Sequence, residues 1–410
     1  MARGTNMGEA LGSVVRGAGM AVSQAMEKNF RSPRAGGSAR SRSNFYRPQL
    51  LAALGLVAFG ALVIWTASLT IADASFPRHC VGIVLGLVAA FLVWRYDYRV
   101  LGNASRALFI ADVALMMLPL VPGLGWSAKG ATGWVKVPFV PLTFQPSEFA
   151  KLATIYLMAA LGAEYNGHIE TLKDYVKLCA VLVVPFLIIL LQPDLGTGLI
   201  VLVTGASIII CSGARRSWVI VTIVLIVLFA TLVVVTSMTP GLPHLLKTYQ
   251  LNRLTVFVNS SVDPAGNGYN LQQAKIAVGS GGFFGKGVGN ATQAGSGFLP
   301  EAHTDFVFAL LAEEFGFIGS VGMLALFAVM ILSTIALAQR VEAPFGKLVL
   351  AGVATMWSFQ LLQNVGMCIG IMPITGIPLP FISYGSSSMM AQLTAVGMVQ
   401  SVWRHIPKTA

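Results

Sequence analysis

The sequence has little charge and little cysteine for its length. Asp, Glu, Lys and Arg form only 10% of its 410 residues, against about 25% in soluble domains. Hydrophobic residues form 55% of the chain, and the mean hydropathy is +0.75. Because so few charges cannot cover a water-soluble globule of this size, the composition predicts an all-α polytopic membrane protein. The four cysteines lie far apart, so they indicate neither a disulfide framework nor a metal-binding cluster.

Acidic residues are scarcer than basic ones: 16 Asp and Glu stand against 27 Lys and Arg, for a net charge of +11. A basic chain can bind nucleic acid, but eight of the basic residues precede residue 48, in a segment rich in Arg, Ser and Gly. Residues 1–47 are therefore predicted to form a basic, flexible cytoplasmic tail, which is either a solvated determinant of topology or a segment that touches anionic membrane lipids, and no nucleic-acid partner is expected. The segment does not resemble a cleavable signal peptide.

About ten apolar stretches are long enough to cross a bilayer, whose ~30 Å hydrocarbon core requires about 20 helical residues. They lie at residues 49–71, 79–96, 105–122, 146–163, 174–191, 195–212, 217–238, 303–337, 347–369 and 386–403. Together they predict a ten-span membrane domain over 48–404, followed by a short cytoplasmic C-terminus at 405–410. Only Gln192, Pro193 and Asp194 separate the fifth stretch from the sixth, so this junction is either a tight turn or a break in one helix.

The basic residues are distributed unevenly between the two sides of the predicted membrane. With ten spans, seven of them fall in outer segments, Lys151 falls inside a span, and the other 19 fall in cytoplasmic segments. Because cytoplasmic segments of membrane proteins carry an excess of Lys and Arg, both termini are expected in the cytoplasm.

Residues 239–302 form a large extracytoplasmic loop before the eighth span, and a connection of this length is usually functional. Its glycine-rich run at 279–287 lacks the first glycine and the Ser or Thr of a P-loop. These glycines are instead expected to allow tight turns or a close approach to a ligand. No inverted repeat typical of transporters is evident.

Two oppositely charged residues lie three positions apart at the start of the fourth span. Glu148 and Lys151 would share one helix face and form an ion pair. A charge inside the membrane costs at least ~2.5 to 3.5 kcal/mol, so each one is a functional candidate. The pair is either an internal strut or a site where Lys151 meets an anionic group of a substrate, and both can hold together.

Asp305 is predicted to lie in the first turns of the eighth span, at the outer membrane boundary. Pro300 is expected to start this helix and Glu301 to share a face with Asp305, with His303 and Thr304 beside them. The carboxylates either complement the positive end of the helix dipole or provide a general base.

Three further charged residues give weaker signals. Arg253 either binds phosphate or is a solvated loop residue. Asp194 follows Pro193 and is expected to cap the next helix. Asp112 has no partner within its own helix.

Two more segments are interpreted by their position. Glu313 and Glu314 lie deeper in the eighth span and are expected to be packing or relay residues. The segment 372–388 contains three prolines and is predicted to form a rigid re-entrant or surface loop with exposed donors at Ser383, Tyr384 and Ser386 to Ser388.

Five motifs, in this order, resemble the SEDS family (shape, elongation, division and sporulation), bacterial ten-span proteins that include RodA and FtsW. The motifs are QPSEFAKL (145–152), QPDLGTG (192–198), YNLQQAKIAVGSGGFFGKG (269–287), FLPEAHTDFVFALLAEE (298–314) and PLPFISYGSSS (378–388). The resemblance covers about residues 48–404. The form MPITGIP at 372–378 is more similar to the RodA branch than to FtsW.

Two positions depart from the family pattern. Gly133 precedes Trp134 where many members have Arg before Trp, and SYGSSS replaces the usual SYGGSS. The first departure puts in doubt any substrate contact from position 133, for which Lys129 or Lys136 could substitute.

The resemblance implies polymerisation of lipid II into peptidoglycan glycan strands at the outer face of the bacterial cytoplasmic (inner) membrane, for cell elongation and shape. It implies that Asp305 is the essential acid and that Glu148 and Lys151 are paired cavity residues. It also implies a class B penicillin-binding protein transpeptidase as partner.

The residue chemistry agrees with this inverting glycosyl transfer. Asp305 can deprotonate the acceptor hydroxyl, while Lys151 and Arg253 offset charge on the departing pyrophosphate, with a divalent cation (magnesium or manganese) as the expected cofactor. The supporting or substrate-binding residues are predicted to be Glu148, Glu301, His303, Thr304, Lys286, Trp134 and Ser383.

Three alternatives remain open at the level of the sequence. A flippase or transporter for the lipid-linked precursor would use the same buried ions along a path to both faces. A scaffold that only organises a partner synthase would tolerate substitution of Asp305. A division polymerase of the FtsW type would perform the same chemistry in another process.

Overall fold

The computed structural model describes residues 43–128, 131–136, 143–239, 241, 248–259, 262–263, 266–295 and 297–406. Most of the predicted tail, Lys129 and the end of the predicted C-terminus lie outside these residues, as does the side chain of Lys136. Residues from Phe45 onward form one compact unit.

Within the described residues, one helix occupies each of the ten predicted span positions, which confirms the all-α polytopic class. The helices are α1 (Arg47–Thr70), α2 (Phe76–Arg95), α3 (Ser105–Met117), α4 (Pro146–Ala163), α5 (Leu172–Leu191), α6 (Leu195–Cys211), α7 (Arg216–Met238), α11 (Val307–Arg340), α12 (Pro344–Ile369) and α13 (Ser386–His405). The outer loop supplies α8 (Thr248–Val258), α9 (Asn267–Ser280) and α10 (Thr292–Gly295). Short 3-10 turns lie at Tyr98–Asn103 and Leu118–Leu120, so the third span is shorter than predicted.

In the described part of the chain, six helices are long and apolar enough to cross a membrane by themselves: α1, α2, α5, α7, α11 and α12. The helices differ in what surrounds them. Thirteen of the 18 residues of α4 and 13 of the 20 residues of α13 are buried, whereas Ser237 is the buried residue of α7. A helix surrounded by protein can carry polar groups that a lipid-facing helix cannot, which explains the lower hydropathy of α4 and α13.

The described chain enters and leaves the bundle at the same end. The main-chain N–H of Tyr46 donates to Oε1 of Gln400 at 2.8 Å, and Nε2 of Gln400 donates to Oε1 of Gln49 at 2.6 Å. These bonds place the start of α1 beside the end of α13. Such an arrangement requires an even number of membrane crossings, as ten spans would provide.

The junction between α5 and α6 is a tight turn and not a break in one helix. Gly198 lies against Phe186, and Gly205 lies against Leu182, so the two helices pack side by side in opposite directions. Asp194 accepts a 3.0 Å hydrogen bond from the main-chain N–H of Thr197, which confirms its predicted role as a helix cap.

A small antiparallel sheet, which hydropathy did not predict, lies between α3 and α4. Its strands are β1 (Gly125–Ala128), β2 (Ala131–Lys136) and β3 (Thr143–Phe144), in the order β1-β2-β3. Trp126 in β1 pairs with Trp134 in β2.

The glycine-rich run of the outer loop contacts a break in α11. Gly316 has a φ of +65°, which interrupts the helix, and the loop fills the interruption. The N–H of Lys286 donates to the carbonyl of Glu313 at 2.9 Å, and the N–H of Phe317 donates to the carbonyl of Gly282 at 2.9 Å. Inside a bilayer such exposed backbone groups need a protein partner, so the glycines permit a close approach to protein backbone.

Candidate functional site

Asp305 lies in a turn just before α11, and not within the first turns of the helix. The expectation that Pro300 starts this helix is wrong, because α11 begins at Val307. Glu301 has a φ of +57°, and its carbonyl accepts hydrogen bonds from the N–H groups of Thr304, Asp305 and Phe306 at 3.1–3.2 Å. This carbonyl holds the turn together, so Asp305 is carried by irregular backbone at the end of the bundle.

The loop from 370 to 385 packs against Asp305. A methyl group on Gly376 would lie 3.2 Å from Oδ2 of Asp305, and Gly376 has a φ of +72°. The side-chain amide of Asn364, on α12, donates at 2.8 Å to the carbonyls of both Asp305 and Ile377. Asn364 therefore ties the Asp305 turn to this loop. Its signal in the sequence was a carboxamide within an apolar span, which sequence reasoning missed.

Arg253 reaches the same loop from α8. Its Nη1 donates to the carbonyl of Thr375 at 3.2 Å. A methyl group on Gly196, in the first turn of α6, would lie 2.8 Å from that carbonyl oxygen. Arg253, Asp305 and the QPDLGTG motif thus meet at Thr375 and Gly376, although they are far apart in the sequence.

The remaining residues of the Asp305 turn bind the following part of the loop. Ser383 donates to the carbonyl of Thr304 at 2.6 Å, and the N–H of Tyr384 donates to the carbonyl of His303 at 2.9 Å. Thr304 in turn donates to Oε2 of Glu301 at 2.8 Å. Ser383 is only 3% exposed, so the prediction of an exposed donor is wrong at this position. Its hydroxyl fixes the loop.

Glu148 and Lys151 form the predicted ion pair at the start of α4. Nζ of Lys151 lies 2.8 Å from Oε1 of Glu148, and each side chain is 2% exposed. Among the described residues, no hydrogen-bond partner reaches Oε2 of Glu148. The N–H of Gln145, just before α4, donates to the hydroxyl of Ser387 at 3.1 Å. The pair therefore lies close to the point where the 370–385 loop enters α13.

Lys286 does not lie beside Asp305 in the turn but forms a separate cluster around Glu313 on α11. Its Nζ lies 2.6 Å from Oε1 of Glu313, which also accepts hydrogen bonds from the N–H groups of Thr292 and Gln293 at 3.0 and 3.1 Å. The Glu313 side chain is fully buried. This arrangement agrees with the packing alternative for Glu313 and anchors the outer loop to α11.

Two other candidates lie near the α5–α6 turn and in the bundle interior. Trp134 is partly buried in the small sheet. A methyl group added to its neighbour Gly133 would lie 3.8 Å from Oε1 of Gln192, in the α5–α6 turn. Asp112 is fully buried and accepts a 2.8 Å hydrogen bond from Thr154 on α4. Asp112 therefore has its partner on a neighbouring helix.

No group of three or more His, Cys, Asp or Glu side chains suited to a metal ion occurs within the described residues. Magnesium, however, is commonly bound by one or two carboxylates together with substrate phosphates. Asp305 and Glu301 lie in one turn and are the carboxylates that could contribute to such a shared site.

The chain matches the family model of cell cycle proteins named for FtsW, RodA and SpoVE over residues 45–408. It is 34% identical to stage V sporulation protein E of Bacillus subtilis (strain 168), over 85% of this chain and 94% of that protein. It is also 34% identical to the peptidoglycan glycosyltransferase MrdB of Escherichia coli (strain K12), over 87% of this chain and 92% of that protein.

Solved structures give the same result. The fold matches a chain from a structure described as showing the coordination of polymerization and crosslinking by a peptidoglycan synthase complex, with a TM-score of 0.73 and 30% identity over 88% of this chain and 98% of that chain. It also matches the rod shape determining protein RodA of Thermus thermophilus, with a TM-score of 0.64 and 28% identity over 89% of this chain and 98% of that chain.

Proposed function

This chain belongs to the SEDS family of cell cycle proteins that includes FtsW, RodA and SpoVE, and on this premise we propose that it polymerises lipid II into glycan strands. It is thus a peptidoglycan glycosyltransferase. The single observation that supports the assignment of its site is the convergence of Asp305 and Arg253 on Thr375 and Gly376. A base and a cation thereby lie against adjacent residues of one loop at one end of the bundle.

Asp305 accepts the proton of the acceptor sugar hydroxyl as that oxygen attacks the anomeric carbon of the donor. The new glycosidic C–O bond forms while the bond to the polyprenyl pyrophosphate breaks, and attack opposite the leaving group inverts the anomeric centre. The proton then passes from Asp305 to water. A base positioned within hydrogen-bond reach typically contributes about 10²- to 10⁴-fold to the rate.

Arg253 and Lys151 offset the negative charge that develops on the departing pyrophosphate. Arg253 fixes the loop through Nη1, and its planar guanidinium matches phosphate geometry. Glu148 pairs with Lys151 at 2.8 Å and so fixes the position of its ammonium group beside the loop. A magnesium or manganese ion held by Asp305 and Glu301 with the substrate phosphates would neutralise further charge on the leaving group.

The reaction takes place at the outer face of the bacterial cytoplasmic membrane, with both termini in the cytoplasm. The excess of basic residues around the chain termini supports this orientation. The Asp305 turn contacts the loop just before α13, whereas the start of α1 lies beside the other end of that helix, where Tyr46 binds Gln400. The 20 residues of α13 span about 30 Å, which separates the two ends by the thickness of the hydrocarbon core.

We assign the chain to the elongation branch, with a class B penicillin-binding protein transpeptidase as partner. The MPITGIP form of the loop beside Asp305 supports the branch. The similarity to a chain of a peptidoglycan synthase complex supports the partner. Cells depleted of this protein should become round; filaments with normal width would instead indicate the division branch.

The deciding experiment is polymerisation of purified lipid II by the protein with its partner synthase, comparing wild type with Asp305→Asn by gel separation of glycan products. Asp73→Asn is the matched control, because Asp73 is an exposed carboxylate in the turn after α1. We expect polymer from wild type and from the control but none from Asp305→Asn. Normal polymer from an intact Asp305→Asn complex would exclude the general-base role, and no polymer from any of the three would favour a flippase or scaffold.

A further inference from the structure

A small groove lies on the side of the bundle that faces lipid, at the end opposite Asp305. It encloses about 140 Å³ between α1, α2 and α13. Its main lining residues are Phe45, Leu50, Phe91, Trp94, Val396 and Gln400. Phe91 is 52% exposed and belongs to α2, in which the buried residues are His79, Gly82 and Gly86. The groove therefore opens towards the bilayer.

The floor of the groove is fixed by close helix packing. A methyl group on Gly397 of α13 would lie 2.5 Å from the carbonyl oxygen of Ala90 on α2. Small residues of this kind let membrane helices approach closely, and the larger side chains on either side then form walls. The groove is thus a feature of the packed bundle and not of a loop.

An arginine and an aromatic wall close one end of the groove. The guanidinium carbon of Arg404 lies 4.3 Å from the ring centroid of Trp94, within the range of a cation–π interaction. The ring of Phe45 stacks on that of Trp94, with 4.6 Å between the two centroids. Tryptophan is enriched where hydrocarbon meets headgroups, so this wall marks the membrane boundary.

The rim of the groove carries positive charge. Arg47 begins α1, Arg95 ends α2 and Arg404 lies in the last turn of α13, and all three are exposed. The carboxylate that follows Arg95, Asp97, is bound by Arg99 with Nη2 2.7 Å from Oδ2. That hydrogen bond lowers the pKa of Asp97 and offsets its charge locally. The rim is complementary to an anionic headgroup.

We propose that the groove binds one anionic phospholipid of the cytoplasmic leaflet. Part of an acyl chain packs between Phe91, Leu50 and Val396, while the phosphate lies against Arg404 with Arg47 and Arg95 nearby. Basic pockets between membrane helices on the cytoplasmic side recognise such headgroups. A zwitterionic lipid fits the apolar groove equally well but gains less from the rim, so selectivity arises from the arginines.

The test is native mass spectrometry of the full chain in mild detergent, titrated with phosphatidylglycerol or phosphatidylethanolamine of identical acyl chains. Wild type should retain phosphatidylglycerol about fivefold better, as expected for one basic contact at the membrane surface. Arg404→Gln should lose this preference, and Trp94→Leu should weaken retention of both lipids.

A second arginine–tryptophan pair supplies matched controls. Arg215 lies 5.1 Å from the ring of Trp218 at the start of α7, away from the groove. Arg215→Gln and Trp218→Leu should therefore retain phosphatidylglycerol as wild type does. Equal retention of the two lipids by wild type, or an unchanged preference in Arg404→Gln, would overturn the proposal. Arg404 is exposed and loses only its contact with Trp94, so its substitution should lower the melting temperature only slightly.

Discussion

The side-chain amide of Asn364 donates a 2.8 Å hydrogen bond to the main-chain carbonyl of Asp305. The same amide donates to the carbonyl of Ile377 at 2.8 Å, one residue beyond Gly376. Asn364, near the end of α12, thus positions the proposed base against the loop to which Arg253 binds. Its role is to position Asp305 and not to touch the substrate.

Asn364→Leu should fold but lose most activity. Leu has a similar volume and no donor, so two buried carbonyls lose a partner, each at a cost of about 1–3 kcal/mol. A displaced base should lower kcat about tenfold or more with a smaller change in KM. Steady-state lipid II polymerisation measures both constants.

Gln363→Leu is the comparison variant, because Gln363 donates to the carbonyl of Pro373 in the same loop but not to the Asp305 turn. It should lower the melting temperature less than Asn364→Leu does, because one carbonyl instead of two loses its donor, and it should retain more activity. Wild-type kcat in Asn364→Leu would show that the Asp305 turn is held in place by other contacts.

Removing both charges of the Glu148–Lys151 pair tests whether the pair has only a structural role or also takes part in the reaction. Either single change, Glu148→Leu or Lys151→Met, leaves one buried charge without its partner and should cost about 3–5 kcal/mol. The double variant removes both charges and should recover most of this stability. If Lys151 assists the leaving group, the double variant folds but remains inactive, as polymerisation and thermal unfolding in detergent would show. An active double variant would show that the pair has only a structural role.

Arg253→Lys and Arg253→Gln distinguish charge from geometry at the 375–376 loop. Lysine keeps the positive charge but lacks the planar fork that binds the Thr375 carbonyl and matches phosphate. We expect partial activity for lysine and a loss of about 10²-fold or more for glutamine, typical of removing an electrostatic contact to developing charge. Equal, near-normal turnover of both variants would show that Arg253 does not contact the leaving group and only binds the loop.

Gly316→Ala tests the break in α11. Gly316 has a φ of +65° and lies against the backbone of Gly285, so a methyl group would cause both strain and a clash. We expect a loss of about 2 kcal/mol or more in stability and release of the outer loop. Gly322→Ala is the control on the same helix, because its added methyl group meets nothing within 4 Å. It should be neutral or stabilising by up to about 1 kcal/mol. Equal melting temperatures for the two variants would contradict this account of the break.

Much of the fold follows from local sequence. Hydropathy predicted a helix at each of ten positions, and spacing predicted both the Glu148–Lys151 pair and the cap by Asp194. These features depend on residues within a few positions of one another. Transfer of an apolar stretch into lipid and an i,i+3 contact on a helix are both local properties, so the chain determines them directly.

The geometry of the candidate site was decided by tertiary structure. The sequence placed Asp305 on a helix starting at Pro300, but three hydrogen bonds to the Glu301 carbonyl hold it in a turn, and Asn364 joins that turn to a loop 70 residues further along the chain. Irregular backbone has no period, and its free energy depends on which distant groups satisfy its N–H and C=O groups. Those partners exist only once the helices have packed.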